Sequence, residues 1–424
     1  MKKKLTDLYN YLSGNSLEFF VFAMLFLAYI LLLPRTGHGG DMWCWSQWTH
    51  HMFSNGLGNV YKSGTDYLPL YHYVLFLFAK FQGNLEHIDR NLFYLKAITL
   101  LFDFVAGYVL IKFLRTRYDR HQTILYSFLY FFNIGYFYNT VIWGQVDGIM
   151  ASLVFLAFYC AYRKKVLISL IFILLSLNFK LQAIIFFPIL GLMLLPAMTE
   201  QFSLRKLLVW IAMPVILQVL IIMPVLLAGD IAQLWRVVTG SVGKYPVVSA
   251  NAYNFWSWVV KGDRMEISDS IRFLGITYKS WGLFMFCTSS FFALWPLFKS
   301  TISQLFCREK KFISTEKMLI TATLIPMLFF FFNTQMHERY IHPAILFLAV
   351  YSLLSKKYLP YILGSVAYFL NLEAVLRYLQ LKNYNTALFH PIFIAILFFV
   401  CMAYLFMQLY KNTSIPRQKI IETR

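Results

Sequence analysis

Long apolar runs separated by short polar turns organise this chain. Runs of about 15–22 apolar residues match the roughly 30 Å hydrocarbon core of a bilayer and predict transmembrane helices. They fall near 17–34, 92–114, 122–140, 144–162, 166–179, 181–197, 207–227, 280–298, 318–334, 341–355, 358–374 and 390–410, about twelve in all. The pattern predicts an all-α, polytopic membrane protein forming one integral domain over 1–424, without a strong internal repeat. One further apolar stretch, 67–81, is short for a span. With Pro69 suited to a first helical turn, it predicts a helix lying on, or partly inserted in, the membrane surface. The first run has no small-residue cleavage site downstream and reads as a retained helix, not a signal peptide.

Composition agrees with that reading. The chain is 59% hydrophobic, 19% aromatic and only 13% charged, which excludes an ordinary soluble domain. The net charge of +19 is dispersed in short clusters between runs: Lys2-Lys3-Lys4, Arg163-Lys164-Lys165, Arg308 to Lys311, and Lys356-Lys357. This is the positive-inside pattern, with anionic lipid headgroups of the bilayer as the expected partners. No folded basic module accompanies it, which excludes nucleic acid as a partner. Placing each cluster in the cytoplasm puts both termini there and leaves two external loops, 35–90 and 228–278, the first of them helical. The five cysteines, at 44, 160, 287, 307 and 401, have no metal-ligand spacing and predict no disulfide framework.

Polar islands interrupt the apolar pattern, and all fall on the external side of this topology. Met336-His337-Glu338-Arg339-Tyr340 lies between two predicted spans. Charges at membrane depth are costly, so they pair, face a cavity and mark function. His337 and Arg339 are candidate phosphate ligands, Arg339 through its planar fork, with Glu338 orienting it; a purely structural ion pair is the alternative. Lys180, between Asn178 and Gln182, either binds phosphate as a point charge or snorkels to headgroups. In Trp143-Gly144-Gln145-Val146-Asp147-Gly148, Asp147 either orders a sugar hydroxyl, holds a cation, or caps the next helix. Asp41, after Gly39-Gly40, is placed to act as a general base, with Trp43, Trp45 and Trp48 offering faces for sugar rings; an interfacial aromatic belt explains the same residues. Asp66, before Tyr67, either joins the site or caps the surface helix. Asp103, inside an apolar run, pairs with another helix or faces the cavity. Asn251, Tyr253, Asn254 and Trp256 suit carbohydrate or headgroup recognition. No nucleotide-binding fingerprint occurs, and no cofactor is called for, although Asp41, Asp66 and Asp147 leave a divalent metal open.

Taken together, these motifs resemble the GT-C superfamily of glycosyltransferases that use polyprenyl-phosphate sugars. The chain looks most like bacterial relatives of the GPI-anchor second mannosyltransferase, and more distantly like the lumenal dolichol-pathway glucosyltransferases. The resemblance rests on Trp143-Gly144-Gln145-Val146-Asp147, Asn251-Ala252-Tyr253-Asn254-Phe255-Trp256, Met336-His337-Glu338-Arg339-Tyr340, Gly40-Asp41 and Asp66-Tyr67-Leu68-Pro69-Leu70-Tyr71. In the last, Leu68 replaces the family's first proline; Lys180-Leu181-Gln182 likewise departs from the usual Lys-Pro-Gln. The resemblance implies transfer of a hexose, mannose or glucose, from a polyprenyl-phosphate donor to an extracytoplasmic glycan or glycolipid acceptor in a single inverting displacement. It implies Asp41 as general base, His337, Arg339 and Lys180 on the donor phosphate, and Asp66, Tyr67, Trp143, Gln145, Asp147, Gln182, Asn251, Tyr253, Asn254, Trp256 and Glu338 around the substrates. A bacterial cytoplasmic membrane is the expected location. Buried charges and aromatic grooves also suit a transporter or flippase of a lipid-linked glycan, although the repeat symmetry of such proteins is not seen. A ligase of whole glycans would call for a larger external loop than 228–278.

Overall fold

A computed structural model describes residues 16–241, 243–306 and 314–411. Lys2-Lys3-Lys4, Cys307, the Arg308 to Lys311 cluster and the C-terminal end lie outside the described residues. The first apolar run forms α1 (Ser16–Leu31). The following segment is helical, as expected: α2 (Gly39–Asn55), α3 (Pro69–Gln82) and α4 (Leu85–Asn91). α3 begins with Pro69 in its first turn, where a missing N–H costs nothing. A 3-10 turn joins α4 to α5 (Leu95–Leu114).

The expected helix over 122–140 is broken. It divides into α6 (Arg120–Phe131), α7 (Ile134–Phe137) and a π-helix (Tyr138–Trp143). Asn133 causes the break: its side chain caps α7 by accepting from Tyr136 N at 2.8 Å and donates to Ser365 Oγ at 2.7 Å. Two hairpin partners follow, α8 (Asp147–Tyr162) and α9 (Val166–Phe179). A 3-10 segment (Leu181–Phe186) leads into α10 (Phe187–Glu200), then α11 (Leu204–Leu227). The second loop holds α12 (Ile231–Gly240), α13 (Trp256–Val259) and a two-stranded ribbon, β1 (Arg272–Phe273) with β2 (Ile276–Thr277). The chain ends in α14 (Tyr278–Phe306), α15 (Thr315–Phe332), α16 (His342–Ser355), α17 (Leu359–Leu376) and α18 (Pro391–Tyr410).

Among the described residues, seven helical segments are long and apolar enough to cross a bilayer, and four further apolar helices are shorter. This is the make-up of an integral membrane protein with an all-α core. α8 and α16 lie at the centre and are buried along almost their whole length. A second apolar cluster forms under the first loop, where Trp45, Met52, Tyr71 and Leu75 pack with Ile149 and Phe179. The loop is thereby fastened to the ends of α8 and α9.

Two basic turns meet at one end of the bundle. Arg117 donates to Leu354 O, Tyr118 Oη to Leu353 O at 2.7 Å, and the Lys356 ammonium lies 5.7 Å from the Tyr118 ring centre. Arg115 pairs there with Glu18. Cys44, Cys160, Cys287 and Cys401 are free thiols.

Candidate active site

The polar islands converge at the opposite ends of the central helices. Asp147 opens α8, yet Val146 is the N-cap and makes no side-chain capping bond. Helix capping is therefore not its role. Its buried carboxylate pairs with Lys180, which follows α9, and accepts from Asn139 Nδ2 of the π-helix at 3.3 Å. Arg339 Nε lies 3.8 Å from the same carboxylate. Lys180 is thus turned inward to a carboxylate rather than outward to headgroups. His342, at the start of α16, stands behind this group, with Nδ1 3.4 Å from Asn139 Nδ2 and 3.0 Å from Tyr368 Oη.

Arg339 Nη1 donates to Glu338 at 2.8 Å. Burial pushes the Glu338 carboxyl up, and the adjacent guanidinium only partly offsets this. Buried Arg339 Nε has no hydrogen-bond partner among the described residues, leaving a donor for a ligand. His337 is held edge-on between Tyr245 and Tyr340, with ring centres 5.3 and 5.1 Å away. Burial, with Arg339 and Lys180 nearby, lowers its imidazole to about 3. His337 is therefore a neutral ring at ordinary pH and can offer an anion a hydrogen-bond donor, not a standing positive charge.

A cavity of about 800 Å³ opens onto these groups. Tyr67, Lys180, Gln182, His337 and Arg339 supply its polar wall, and Leu181, Ile184, Leu283 and Phe329 supply an apolar flank. Gln182 is fixed by donating to Tyr340 O at 2.8 Å, while its buried Oε1 has no partner. Tyr67 Oη donates to Gln145 Oε1 at 3.3 Å; Gln145 itself is buried behind the wall. Asp66 lines the cavity and pairs with Lys244. It does not cap α3, whose N-cap is Leu68.

Asp41 sits in the first turn of α2, just outside this lining. Its Oδ2 accepts from Trp143 Nε1 at 2.9 Å and lies 3.0 Å from His38 Nδ1. The His38 ring stacks on Trp143 at 4.9 Å, and the Arg339 guanidinium lies 5.9 Å from the Trp143 ring centre. Trp143 therefore bridges the carboxylate and the cavity wall. Burial alone would raise the Asp41 carboxyl. The Arg339 charge and the bonds from His38 and Trp143 outweigh it and hold the group well below the usual carboxylate range.

A lysine that the sequence pattern does not single out holds this arrangement together. Lys96, buried at the start of α5, donates to Pro34 O at 3.0 Å, Thr36 O at 2.5 Å and Val141 O at 2.9 Å. It clamps the segment that leads to Asp41 against the π-helix that ends at Trp143, and His38 N reinforces the contact by donating to Trp143 O at 2.9 Å. Gly144 makes room for the clamp. Its φ is +88°, and a Cβ there would stand 3.1 Å from Lys96 Cε. The second motif glycine is equally constrained, since a Cβ on Gly148 would fall 2.4 Å from Asp103 Oδ1. Asp103 pairs across helices by accepting from Thr140 Oγ1 at 2.7 Å.

Several expected ligands lie outside the cavity lining, and some of them serve in packing. Trp45 and Trp48 are buried in the first-loop cluster, and only Trp43 is exposed. Asn254 Nδ2 donates to Phe330 O and Trp256 Nε1 to Phe332 O, each at 2.9 Å. Both are buried and pin the second loop to the end of α15. Asn251 adopts φ +69° and, with Ala250, bridges to the His337 backbone. Tyr253 N donates to Asn371 Oδ1 at 2.9 Å. None of these four residues lines the cavity. Asp41, Asp66 and Asp147 each have separate partners, and no metal-binding group of three His, Cys, Asp or Glu forms among the described residues. The cavity mouth adds cations outside the motifs, namely Arg236, Lys244 and Lys279.

No family model matches the chain, and no curated protein matches it.

Proposed function

We propose that this chain is a GT-C-type membrane glycosyltransferase, with about twelve spans, that moves a hexose from a polyprenyl-phosphate carrier to an extracytoplasmic glycan or glycolipid. One observation carries the reading: Lys180 shares one cavity wall with His337 and Arg339, far from it in sequence, with an ionised Asp41 set beside Arg339 through Trp143. The donor phosphate binds against Lys180, His337 and Arg339. Its lipid tail leaves along the apolar flank of Ile184, Leu283 and Phe329, which accounts for a soluble-looking cation set beside a greasy wall.

In the reaction, the acceptor hydroxyl oxygen attacks the anomeric carbon and forms the new glycosidic bond. The bond from that carbon to the phosphate oxygen breaks, and its electron pair leaves on the polyprenyl phosphate. Asp41 takes the acceptor proton. Arg339, Lys180 and the His337 N–H meet the charge that develops on the leaving oxygen. A low carboxyl pKa keeps Asp41 ionised, while proximity to the acceptor supplies most of its effect as a base. The active site faces outside a bacterial cytoplasmic membrane, with both termini inside.

The test is transfer from a panel of radiolabelled polyprenyl-phosphate hexoses to membrane acceptors by purified protein in lipid, with Asp41→Asn as control. Transfer from one donor, lost in the control, supports the reading and names the sugar. Neither transfer nor hydrolysis by folded protein given active acceptor extract rejects it in favour of a transporter of lipid-linked glycan.

A further inference from the structure

The charges around the cavity do not balance, and the excess has a location. Five cations line it, at Lys180, Arg236, Lys244, Lys279 and Arg339, and one carboxylate, Asp66. Lys180 and Arg339 form the inner group and already have buried carboxylate partners in Asp147 and Glu338. Lys244 is paired with Asp66. Arg236 and Lys279 have no ion-pair partner among the described residues. The Arg236 side chain donates to Gln233 of its own helix, Nη1 to Oε1 at 3.3 Å. Lys279 reaches over the backbone of Gly243, where a Cβ would lie 3.7 Å from its Nζ. Two unbalanced cations from different elements, α12 and the start of α14, thus face one opening. Such a pair creates a local positive potential that a low-dielectric wall focuses on anions.

We propose that the cavity mouth, between Arg236 and Lys279, is a second anion subsite that takes a phosphate or other acidic group besides the phosphate held by the inner group. This rests on the proposed donor site and narrows its substrates. The pair of substrates carries two anionic groups, the second being either a diphosphate on the donor or an acidic substituent on the acceptor. Both cations are exposed, so neutral substitutions there leave the packed core intact.

The experiment uses full-length protein in zwitterionic phosphatidylcholine discs. Affinities for a short-chain prenyl monophosphate and prenyl diphosphate are compared in the wild type, the Arg236→Gln/Lys279→Gln variant and Arg339→Gln. If the donor brings both charges, the diphosphate binds about tenfold tighter than the monophosphate, and the double variant loses that preference while keeping its monophosphate affinity. If the acceptor brings the second charge, the two prenyl phosphates bind alike, and the double variant raises KM several-fold for acidic acceptor fractions only. The proposal is overturned if the double variant changes neither property, or if its effect on prenyl-phosphate binding appears only when the discs are made with anionic phosphatidylglycerol. Arg339→Gln weakens both prenyl phosphates; unchanged binding in that variant would reject the inner phosphate site without bearing on the mouth.

Discussion

Trp143 donates its indole N–H to the Asp41 carboxylate at 2.9 Å, across a sequence separation of 102 residues. The same indole stacks on the His38 ring and has the Arg339 guanidinium 5.9 Å from its ring centre. Asp41 is thereby held ionised by its helix-cap neighbour His38 and by Trp143 and Arg339 from two distant parts of the chain.

Asp41→Asn keeps an oxygen for the Trp143 N–H and removes the proton acceptor. Transfer falls by about 10²–10⁴-fold, the usual worth of a general base, while prenyl-phosphate affinity stays within twofold. Turnover at the wild-type rate would exclude Asp41 as base.

Arg339 supplies the largest charge holding the Asp41 carboxyl down. In the wild type Asp41 therefore stays ionised far into acid, and the acid limb of activity is not set by its usual titration. In Arg339→Gln the carboxyl rises, so activity is lost at a higher pH as the base takes up its proton. A rate profile whose acid limb does not move in this variant would disconnect the two residues.

Lys96→Met keeps the apolar stem and removes the ammonium that the main-chain carbonyls of Pro34, Thr36, Val141 and Ile142 share. Orphaned buried carbonyls cost about 1–3 kcal/mol, seen as a lower Tm. The informative readout is a split: the turnover number drops as Asp41 and Trp143 separate, but prenyl-phosphate affinity holds, because Lys180, His337 and Arg339 are anchored elsewhere. Equal loss of both would reduce Lys96 to a folding residue.

Gly144→Ala places a Cβ at a backbone with φ +88° and against the Lys96 stem. The strain costs about 1–3 kcal/mol, measurable as a shift in thermal unfolding.

The side of the second loop is open to direct measurement. Ser249 is buried and its hydroxyl donates to Ala252 O at 2.8 Å, so it is a poor reporter. Exposed Glu266 is better. Glu266→Cys in intact cells reacts with a membrane-impermeant maleimide; labelling only from the cytoplasmic side would invert the proposed topology.

Most helices were legible because an apolar run of fixed length has one economical conformation in a bilayer. The 122–140 run misled because Asn133, a weak polar signal in an apolar stretch, caps a new helix there. The charged members of the site were legible because Asp147, Lys180, Glu338 and Arg339 have no cheap explanation in apolar surroundings. Trp45, Trp48, Asn254 and Trp256 were not, since aromatic and amide side chains serve packing and main-chain hydrogen bonding as readily as sugar contacts. Lys96 escaped notice because a lysine near the start of a span resembles a snorkelling one. Its partners, Thr36 and Val141, lie 60 and 45 residues away.

The backbone pairing of His337 with Ala250 and Asn251 has a consequence for how this chain can vary. Ala250 N donates to Met336 O at 3.0 Å, and Gln335 N to Val247 O at 3.1 Å. Such bonds are indifferent to side-chain identity but demand register. Val248, Ser249 and Ala250 are also buried and Asn251 holds φ +69°, so the stretch 247–251 is bound in side-chain size as well as in register, and gaining or losing a single residue would break its pairing with the His337 backbone. Among natural variants, this loop should keep its length.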